Sequence, residues 1–221
     1  MTAMWRVENH RGSAADFHGR DMPSVIVPSV QWFHVEQSAL VLGSAQPIEH
    51  VDVEACARAG VEIVRRRSGG GAVLVEPNNV LWADVLIPFD HAMWTNDVSS
   101  SAWWLGEVWL HTLDSLGMTG LHVHRGAMLE GEWSRRVCFA GVGGGEVMLG
   151  ERKVVGISQR RTRAGARFQC AVYSRWHPER VAELMAEPRP SVADLEHVVA
   201  VVPMGFAQIR DAMGIALDML S

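Results

Sequence analysis

The chain has 221 residues, of which 48% are apolar and 20% are charged, a composition typical of a globular protein and not of a disordered one. The formal net charge of −5 argues against a general nucleic-acid-binding protein. No apolar run approaches the roughly 18 residues of a membrane span, and the first residues lack the layout of a signal peptide. We therefore expect a cytoplasmic protein that binds neither nucleic acid nor membrane.

Strands dominate the predicted structure up to its helical end. In chain order, apolar alternation and turn residues predict strands over 24–27, 30–35 and 39–42, a helix over 52–59, strands over 61–64, 72–75 and 80–87, and a helix over 97–116. The same signals predict strands over 121–125, 137–140, 146–149, 153–158 and 167–174, then helices over 178–186, 191–200 and 204–220. This order predicts an α+β fold with a mixed, largely antiparallel sheet and packed helices. Because the composition does not change along the chain, we expect one domain over residues 1–221.

An arginine- and glycine-rich segment is the strongest candidate for a binding site. It reads Arg65-Arg66-Arg67-Ser68-Gly69-Gly70-Gly71-Ala72-Val73. Three consecutive glycines let backbone N–H groups approach a ligand, and the arginines supply charge for a phosphate or carboxylate. The segment is neither a Walker loop nor a dinucleotide fingerprint, because no Gly-Lys-Ser/Thr follows and a predicted strand, not a helix, comes next. A flexible turn with solvated arginines remains the alternative.

A second candidate is the only lysine of the chain, Lys153, against 19 arginines. An ammonium group is a compact point charge that a planar guanidinium does not replace, so a single lysine suggests a specific role. Strand alternation predicts that Lys153, Val155 and Ile157 share one face, and Gly156 permits the close approach of a ligand. We expect Lys153→Arg to abolish activity and to leave the fold intact, because the strand also carries exposed arginines. An ordinary exposed hairpin is the alternative.

Three cysteines, Cys56, Cys138 and Cys170, are too widely spaced for a disulfide framework or a metal knuckle, and we expect no metal site. Cys138 lies in a predicted apolar strand, where a cysteine is either a small hydrophobic residue or a nucleophile. The residues alone leave both roles open.

Together, these motifs resemble the lipoate–protein ligase A family, which includes biotin ligases and octanoyltransferases. The resemblance covers residues 20–185 and rests on three segments: 65–73, Lys153-Val154-Val155-Gly156-Ile157-Ser158-Gln159, and Leu42-Gly43-Ser44-Ala45-Gln46. It implies a biotin/lipoate ligase-like catalytic domain that holds an acyl chain in an apolar tunnel. It also implies attachment of a lipoyl or octanoyl group to a lysine of lipoyl domains, as in 2-oxoacid dehydrogenases or the glycine-cleavage H protein.

The resemblance also implies a set of site residues. Lys153 is the implied catalytic residue, and the implied nucleotide- and acyl-binding positions are Arg66, Ser68, Gly69, Gly70, Gly71, Ala72, Val73, Leu74, Gly156 and Ser158. A ligase of this family uses ATP and Mg²⁺ to form an acyl-AMP from lipoate or octanoate.

Three departures from the family pattern leave the mechanism open. Leu74-Val75-Glu76 replaces an aromatic residue followed by His-Asp, Cys170-Ala171 replaces His-Gly, and the accessory C-terminal domain of the long ligases has no counterpart. An accessory ligase chain would then complete a ligase. In the cysteine-dependent octanoyltransferase branch, a Cys-Phe segment precedes the lysine hairpin, as Cys138-Phe139 does here, which implies a Cys138 thioester. The alternatives are a ligase acting through acyl-AMP, a transferase acting through Cys138, and a non-catalytic module that binds an acyl group or a lipoyl domain.

Overall fold

A computed structural model describes residues 5–220 and contains ten strands and six α-helices within that range. The strands are β1 (Arg6–Gly12), β2 (Ser29–Val35), β3 (Ala39–Leu42), β4 (Glu62–Arg65), β5 (Val73–Val75), β6 (Val80–Pro88), β7 (Leu121–Val123), β8 (Val147–Leu149), β9 (Arg152–Thr162) and β10 (Gly165–Tyr173). The helices are α1 (Ala14–Gly19), α2 (Val53–Arg58), α3 (Trp103–Ser115), α4 (Pro178–Glu183), α5 (Val192–Glu196) and α6 (Phe206–Asp218). No helix of this part of the chain is long and apolar enough to span a membrane.

Two sheets form the centre of the fold. The larger has seven strands in the order β1-β2-β6-β10-β9-β8-β7, and only its β1–β2 pair is parallel. The smaller has the order β4-β3-β5, with β3 parallel to β4 and antiparallel to β5. The predicted α+β class with a mixed, largely antiparallel sheet is therefore confirmed.

Strand alternation divides the core into layers. One face of the large sheet packs against α3 and α6, where Trp109 and Met213 are completely buried. The opposite face, which carries Trp82, packs against the Val41 face of the small sheet. The far face of the small sheet, with Leu40, is covered by α2, α4 and α5. The space between the two sheets is the layer in which the candidate site lies.

Three local predictions are wrong, and two elements were missed. The predicted strand at 24–27 does not form; prolines bracket this segment at positions 23 and 28. Helix α3 begins at Trp103, not at residue 97, because Asp97 accepts hydrogen bonds from Ser99 and Ser100 in a local turn that competes with helix. Residues 138–140 form a 3₁₀ turn instead of a strand. Strand β1 and helix α1 were not predicted, although Ser13 and Asp16 form a capping box.

Candidate active site

An apolar cavity lies between the two sheets. Its walls are formed by His18, Val41, Arg66, Val73, Val75, Trp82, Cys138, Phe139, Gly156, Ile157, Ser158, Gln169, Cys170 and Ala171. The space between these walls, including the part open to solvent, is about 470 Å³. Most of the lining is aliphatic or aromatic, so the cavity suits an apolar chain better than a sugar or a nucleotide base.

Two of the three motif arginines, the exposed Arg65 and the buried Arg66, donate hydrogen bonds to backbone carbonyls. Arg66 is 4% exposed; its Nη1 donates to Val41 O at 3.0 Å, and its Nη2 donates to Gly69 O at 2.7 Å and Gly71 O at 2.8 Å. Arg65 Nη1 donates to the carbonyls of residues 43, 44 and 46. The third, Arg67, forms an exposed ion pair with Asp21. The arginines thus hold the glycine loop, residues 68–71, and they also line one open surface depression together with Ser44 and Arg160.

The loop presents its backbone N–H groups. Within residues 5–220, the N–H groups of Gly69, Gly70 and Gly71 have no hydrogen-bond partner. Gly69 and Gly70 are exposed, and Gly70 has a φ of 99°, which favours glycine. Successive free N–H groups of this kind can bind an anion or a developing oxyanion.

The glycine loop is fixed by close backbone packing on both sides. A Cβ atom on Gly43 would overlap the carbonyl oxygen of Gly70, and one on Gly71 would lie 2.8 Å from Cys138 N. The segment that carries Gly43 and the segment that carries Cys138 therefore pack directly against the loop. The hydroxyl groups of Ser68 and Ser158, 3.0 Å apart, connect the loop to β9.

We expect Gly43→Ala to destabilise the protein, because the new methyl group has no space beside the Gly70 carbonyl. Overpacking of this kind costs about 1–3 kcal/mol, or several degrees in Tm for a chain of this size. Thermal unfolding followed by circular dichroism measures the effect. Gly69→Ala is the matched control, since a Cβ there would meet nothing within 4 Å. Equal Tm values for the two variants would show that the loop is not packed as described.

Cys138 is placed on the cavity wall by the 3₁₀ turn. Its N–H donates to Ala72 O at 2.9 Å, which ties the turn to the residue after the glycine loop. Its Sγ atom lies 4.0 Å from Arg66 Nη2 and would lie 3.6 Å from a Cβ on Gly70. The side chain is half-buried. The sulfur atom therefore lies beside the cavity, the Arg66 guanidinium group and the glycine loop.

The other two cysteines have environments that disfavour a thiolate. Cys170 is 1% exposed, and burial raises the pKa of its thiol strongly. Burial, with the nearby Asp52 carboxylate, raises the pKa of the Cys56 thiol to about 11, and this residue packs beneath the small sheet, away from the cavity. Cys138 is thus the cysteine whose surroundings fit a nucleophile.

Lys153 is buried, which corrects the expectation of an exposed lysine. A β-bulge causes the change: Val147 pairs with Val155 and Met148 pairs with Lys153, so Val154 is an extra residue on β9. Val154 and Val155 both pack toward α3 and α6. Lys153 consequently lies on the same face as Gly156, and the predicted shared face of Lys153, Val155 and Ile157 is wrong.

The Lys153 ammonium group is held by the backbone and by a carboxylate. Its Nζ atom donates to Cys138 O at 2.9 Å and lies 2.7 Å from Glu146 Oε2. The two charged side chains are 1% and 4% exposed. Nζ also lies 5.1 Å from the ring centroid of Phe139, which is part of the cavity wall, whereas Lys153 itself is not. Lys153 thus holds the Cys138 turn from behind the wall.

The structure places the predicted site residues in three positions. Cavity-wall positions are taken by Arg66, Val73, Cys138, Gly156 and Ser158; Ser68, Gly69, Gly70, Gly71, Ala72 and Lys153 lie next to them through the contacts above. Leu74 is not brought to the cavity, because its side chain packs on the far face of the small sheet. Sequence reasoning missed a further polar group: His18 and Gln169 on the cavity wall, and Asp84, which lies behind them and binds Gln169.

A signal for one of these residues was present in the sequence. Asp84 is the only charged residue of β6, an otherwise apolar strand, and a lone carboxylate in a buried strand indicates a specific partner. It lies 3.6 Å from Arg167 Nε and accepts a hydrogen bond from Trp82 Nε1. His18 gave no comparable signal, because it lies on a helix that was not predicted.

The two buried titratable groups of this cluster change stability in opposite directions below pH 7. Burial, with Arg66 and Arg167 nearby, lowers the pKa of His18 from 6.5 to about 3, whereas burial raises the pKa of Asp84 from 3.8 to about 6. Between pH 6.5 and 3 the unfolded chain therefore protonates the imidazole and the folded chain does not, which destabilises the fold on acidification. Between pH 6 and 4 the folded chain alone protonates Asp84, which stabilises it.

Because the shift at His18 is the larger, we expect His18→Phe to reduce the loss of stability between pH 7 and pH 4.5. Urea unfolding at the two pH values measures this difference. Asp84→Asn is the opposite control and should lose more stability on acidification than the unaltered protein. An unchanged pH dependence in His18→Phe would contradict a neutral buried imidazole.

Comparisons with known proteins show the family of the chain. The family model of the lipoyl protein ligase A/B catalytic domain matches residues 19–220. A curated relative, octanoyltransferase LipM of Clostridioides difficile (strain 630), is 26% identical over 135 residues, which are 61% of this chain and 49% of that protein. The chain thus spans about half the length of that relative.

Solved structures share the fold. Lipoate-protein ligase A bound with ATP has a TM-score of 0.72 at 18% identity, over 100% of this chain and 86% of that one. The bi-partite lipoate protein ligase of Thermoplasma acidophilum, described with its E2 lipoyl domain, has a TM-score of 0.72 at 17% identity, over 97% and 83%.

Proposed function

We propose that this chain, which belongs to the lipoyl protein ligase A/B catalytic domain family, transfers an octanoyl or lipoyl group to the lysine of a lipoyl domain through a thioester on Cys138. The observation that carries the proposal is the position of the Cys138 sulfur on the wall of the apolar cavity, beside the glycine loop. The similarity to an octanoyltransferase supports acyl transfer.

The proposed reaction has two balanced steps. In the first, the Cys138 thiolate attacks the carbonyl carbon of an acyl thioester, the bond to the donor sulfur breaks, and the donor leaves as a thiol after taking up a proton. In the second, the ε-amine of the acceptor lysine attacks the new thioester. The Cys138 sulfur leaves, the amine loses a proton, and an amide remains on the lipoyl domain.

The glycine loop suits the charge that develops in each step. Both tetrahedral intermediates carry a negative oxygen beside the Cys138 sulfur; Gly70 lies next to that sulfur, and its N–H group is free, as are those of Gly69 and Gly71 on either side. Fixed N–H donors at such an oxygen typically contribute about 10²–10³ in rate each. Arg66 holds two carbonyls of the loop, so the donors are fixed before the reaction begins.

In this arrangement Lys153 is a positioning residue. Its ammonium group holds the carbonyl of Cys138 and is screened from the cavity by Phe139. Glu146 completes the arrangement, since it also accepts hydrogen bonds from the N–H groups of Gly143 and Ile157. The turn that carries Cys138 is therefore held by the buried Lys153–Glu146 ion pair, whose carboxylate is itself held by two backbone N–H groups.

A ligase acting through acyl-AMP is the second candidate, and the free loop N–H groups favour it equally, because they could bind a phosphate. The fold shared with an ATP-bound ligase is consistent with this role. No cluster of three or more His, Cys, Asp or Glu side chains within residues 5–220 could hold a metal ion, so Mg²⁺ would be held through the nucleotide. An accessory ligase chain would be a partner in this case.

Intact mass spectrometry of an apo lipoyl domain separates the two candidates. The domain is incubated with the protein and either an octanoyl carrier protein without ATP, or octanoate or lipoate with ATP and Mg²⁺. We expect modification from the carrier and none that depends on ATP. Modification only with ATP would establish a ligase, and no modification with any donor would favour a non-catalytic binding module.

A further inference from the structure

A row of polar side chains crosses the wall of the otherwise apolar cavity. Asp84, Gln169 and Ser158 are directly opposite one another on β6, β10 and β9. The neighbouring row, Trp82 with Ala171 and Gly156, is two residues away, or about 7 Å along the strands. Lys153 precedes Gly156 on β9, so the polar row lies beyond Gly156 on the side away from Lys153.

Hydrogen bonds fix the orientation of the Gln169 side chain within this row. Its Nε2 atom lies 3.3 Å from Asp84 Oδ1, and its Oε1 atom accepts from Ser68 Oγ at 3.2 Å. A carboxylate accepts hydrogen bonds and a hydroxyl can donate one, so the amide NH₂ group must face Asp84 and the oxygen must face Ser68.

This orientation determines which nitrogen of His18 carries the proton. The Gln169 NH₂ group lies 3.4 Å from His18 Nδ1, which therefore accepts, so Nε2 of the neutral ring carries hydrogen. The ring is 8% exposed, stacks on Trp82 at 4.4 Å between centroids, and is part of the cavity wall. Its low pKa keeps it neutral at physiological pH. Among the described residues, Nε2 has no hydrogen-bond partner.

We propose that His18 is a specificity-determining residue that donates a hydrogen bond from Nε2 to an oxygen or sulfur atom of the bound acyl chain. The proposal rests on the function proposed above, because it assumes that the cavity holds the acyl chain with its carbonyl beside Cys138. A plain hydrocarbon chain would cover this N–H group and leave it without a partner. A site with a buried donor discriminates against ligands that lack the matching acceptor.

Isothermal titration calorimetry with three free acids tests the proposal without requiring turnover. The probes are octanoate, 7-oxooctanoate, with an acceptor near the far end, and 4-oxooctanoate, with the acceptor near the carboxyl group. We expect one of the two oxo acids, the one whose acceptor lies beside Nε2, to bind about 10-fold more tightly than octanoate and than the other oxo acid. In His18→Phe, which keeps the stacked ring and removes the donor, the difference should fall below twofold. His18→Gln keeps a donor and should retain part of the difference.

The possible results are distinct. Equal binding of all three acids to the unaltered protein would overturn the inference and leave the proposed function intact. A preference for one oxo acid that persists in His18→Phe would assign the donor to another residue and also overturn it. If none of the acids binds, both the inference and the acyl cavity of the proposed function fail.

Discussion

Cys138→Ala is expected to abolish both the acyl-enzyme and the transfer of octanoyl groups to a lipoyl domain. The unaltered protein, incubated with octanoyl carrier protein, should gain the mass of one octanoyl group, and neutral hydroxylamine should remove it as expected for a thioester. The physical reason is that Cys138 is the half-buried cysteine on the cavity wall, next to Arg66 and the free loop N–H groups. Loss of the nucleophile removes the covalent route, so we expect a fall in rate of at least about 10³.

Cys56→Ala and Cys170→Ala are the matched controls and should keep the adduct. Cys170 is the stricter control, since it also contributes to the cavity wall but is almost fully buried. An adduct that persists in Cys138→Ala and disappears in Cys170→Ala would transfer the nucleophilic role to Cys170. No adduct on any cysteine, together with ATP-dependent modification, would replace the transferase with a ligase.

Lys153→Met is expected to reduce the free energy of unfolding by about 3–5 kcal/mol and to abolish activity. The substitution leaves the Glu146 carboxylate buried with no opposite charge, and loss of one member of a buried ion pair has effects of this size. The Cys138 carbonyl also loses its Nζ donor, so the turn that carries the sulfur is held less firmly, by its backbone hydrogen bonds alone. Lys153→Arg should likewise be destabilising, because a larger guanidinium group must enter a fully packed site, contrary to the expectation from the sequence.

A double variant separates stability from chemistry. Lys153→Met combined with Glu146→Gln removes both charges and keeps a side-chain oxygen for one of the two N–H groups that the Glu146 carboxylate binds. We expect urea unfolding to show recovery of much of the lost stability, while acyl transfer stays absent. If the double variant also recovered activity, Lys153 would have no role beyond packing.

The sequence predicted the fold and the segments around the candidate site better than it predicted the roles of individual side chains. The glycine run and Cys138 were recognised as chemically distinctive, and the structure brings them into contact. The use of the arginines could not be predicted, because their partners are carbonyls of residues distant in sequence, such as Val41. Hydrogen bonds to backbone carbonyls leave no trace in the identity of the accepting residue.

His18 illustrates a second limit. Its helix has only six residues, too short for apolar periodicity to be visible, and its role depends on partners on β6 and β10. Asp84 could have been singled out as a charge within an apolar strand, but the tautomer that it imposes through Gln169 follows only from three-dimensional distances.

The β-bulge on β9 explains the spacing between Lys153 and Gly156 in the lysine motif. In a regular strand, residues an odd number of positions apart point to opposite faces, so Lys153 and Gly156, three positions apart, should never serve the same surface. Here they do, because Val154 adds one position between them. The odd interval between the lysine and the glycine therefore indicates, from the sequence alone, a β-bulge between them. If β9 were regular with Val154 in place, the ammonium group would point into the helix-packed core and away from Glu146.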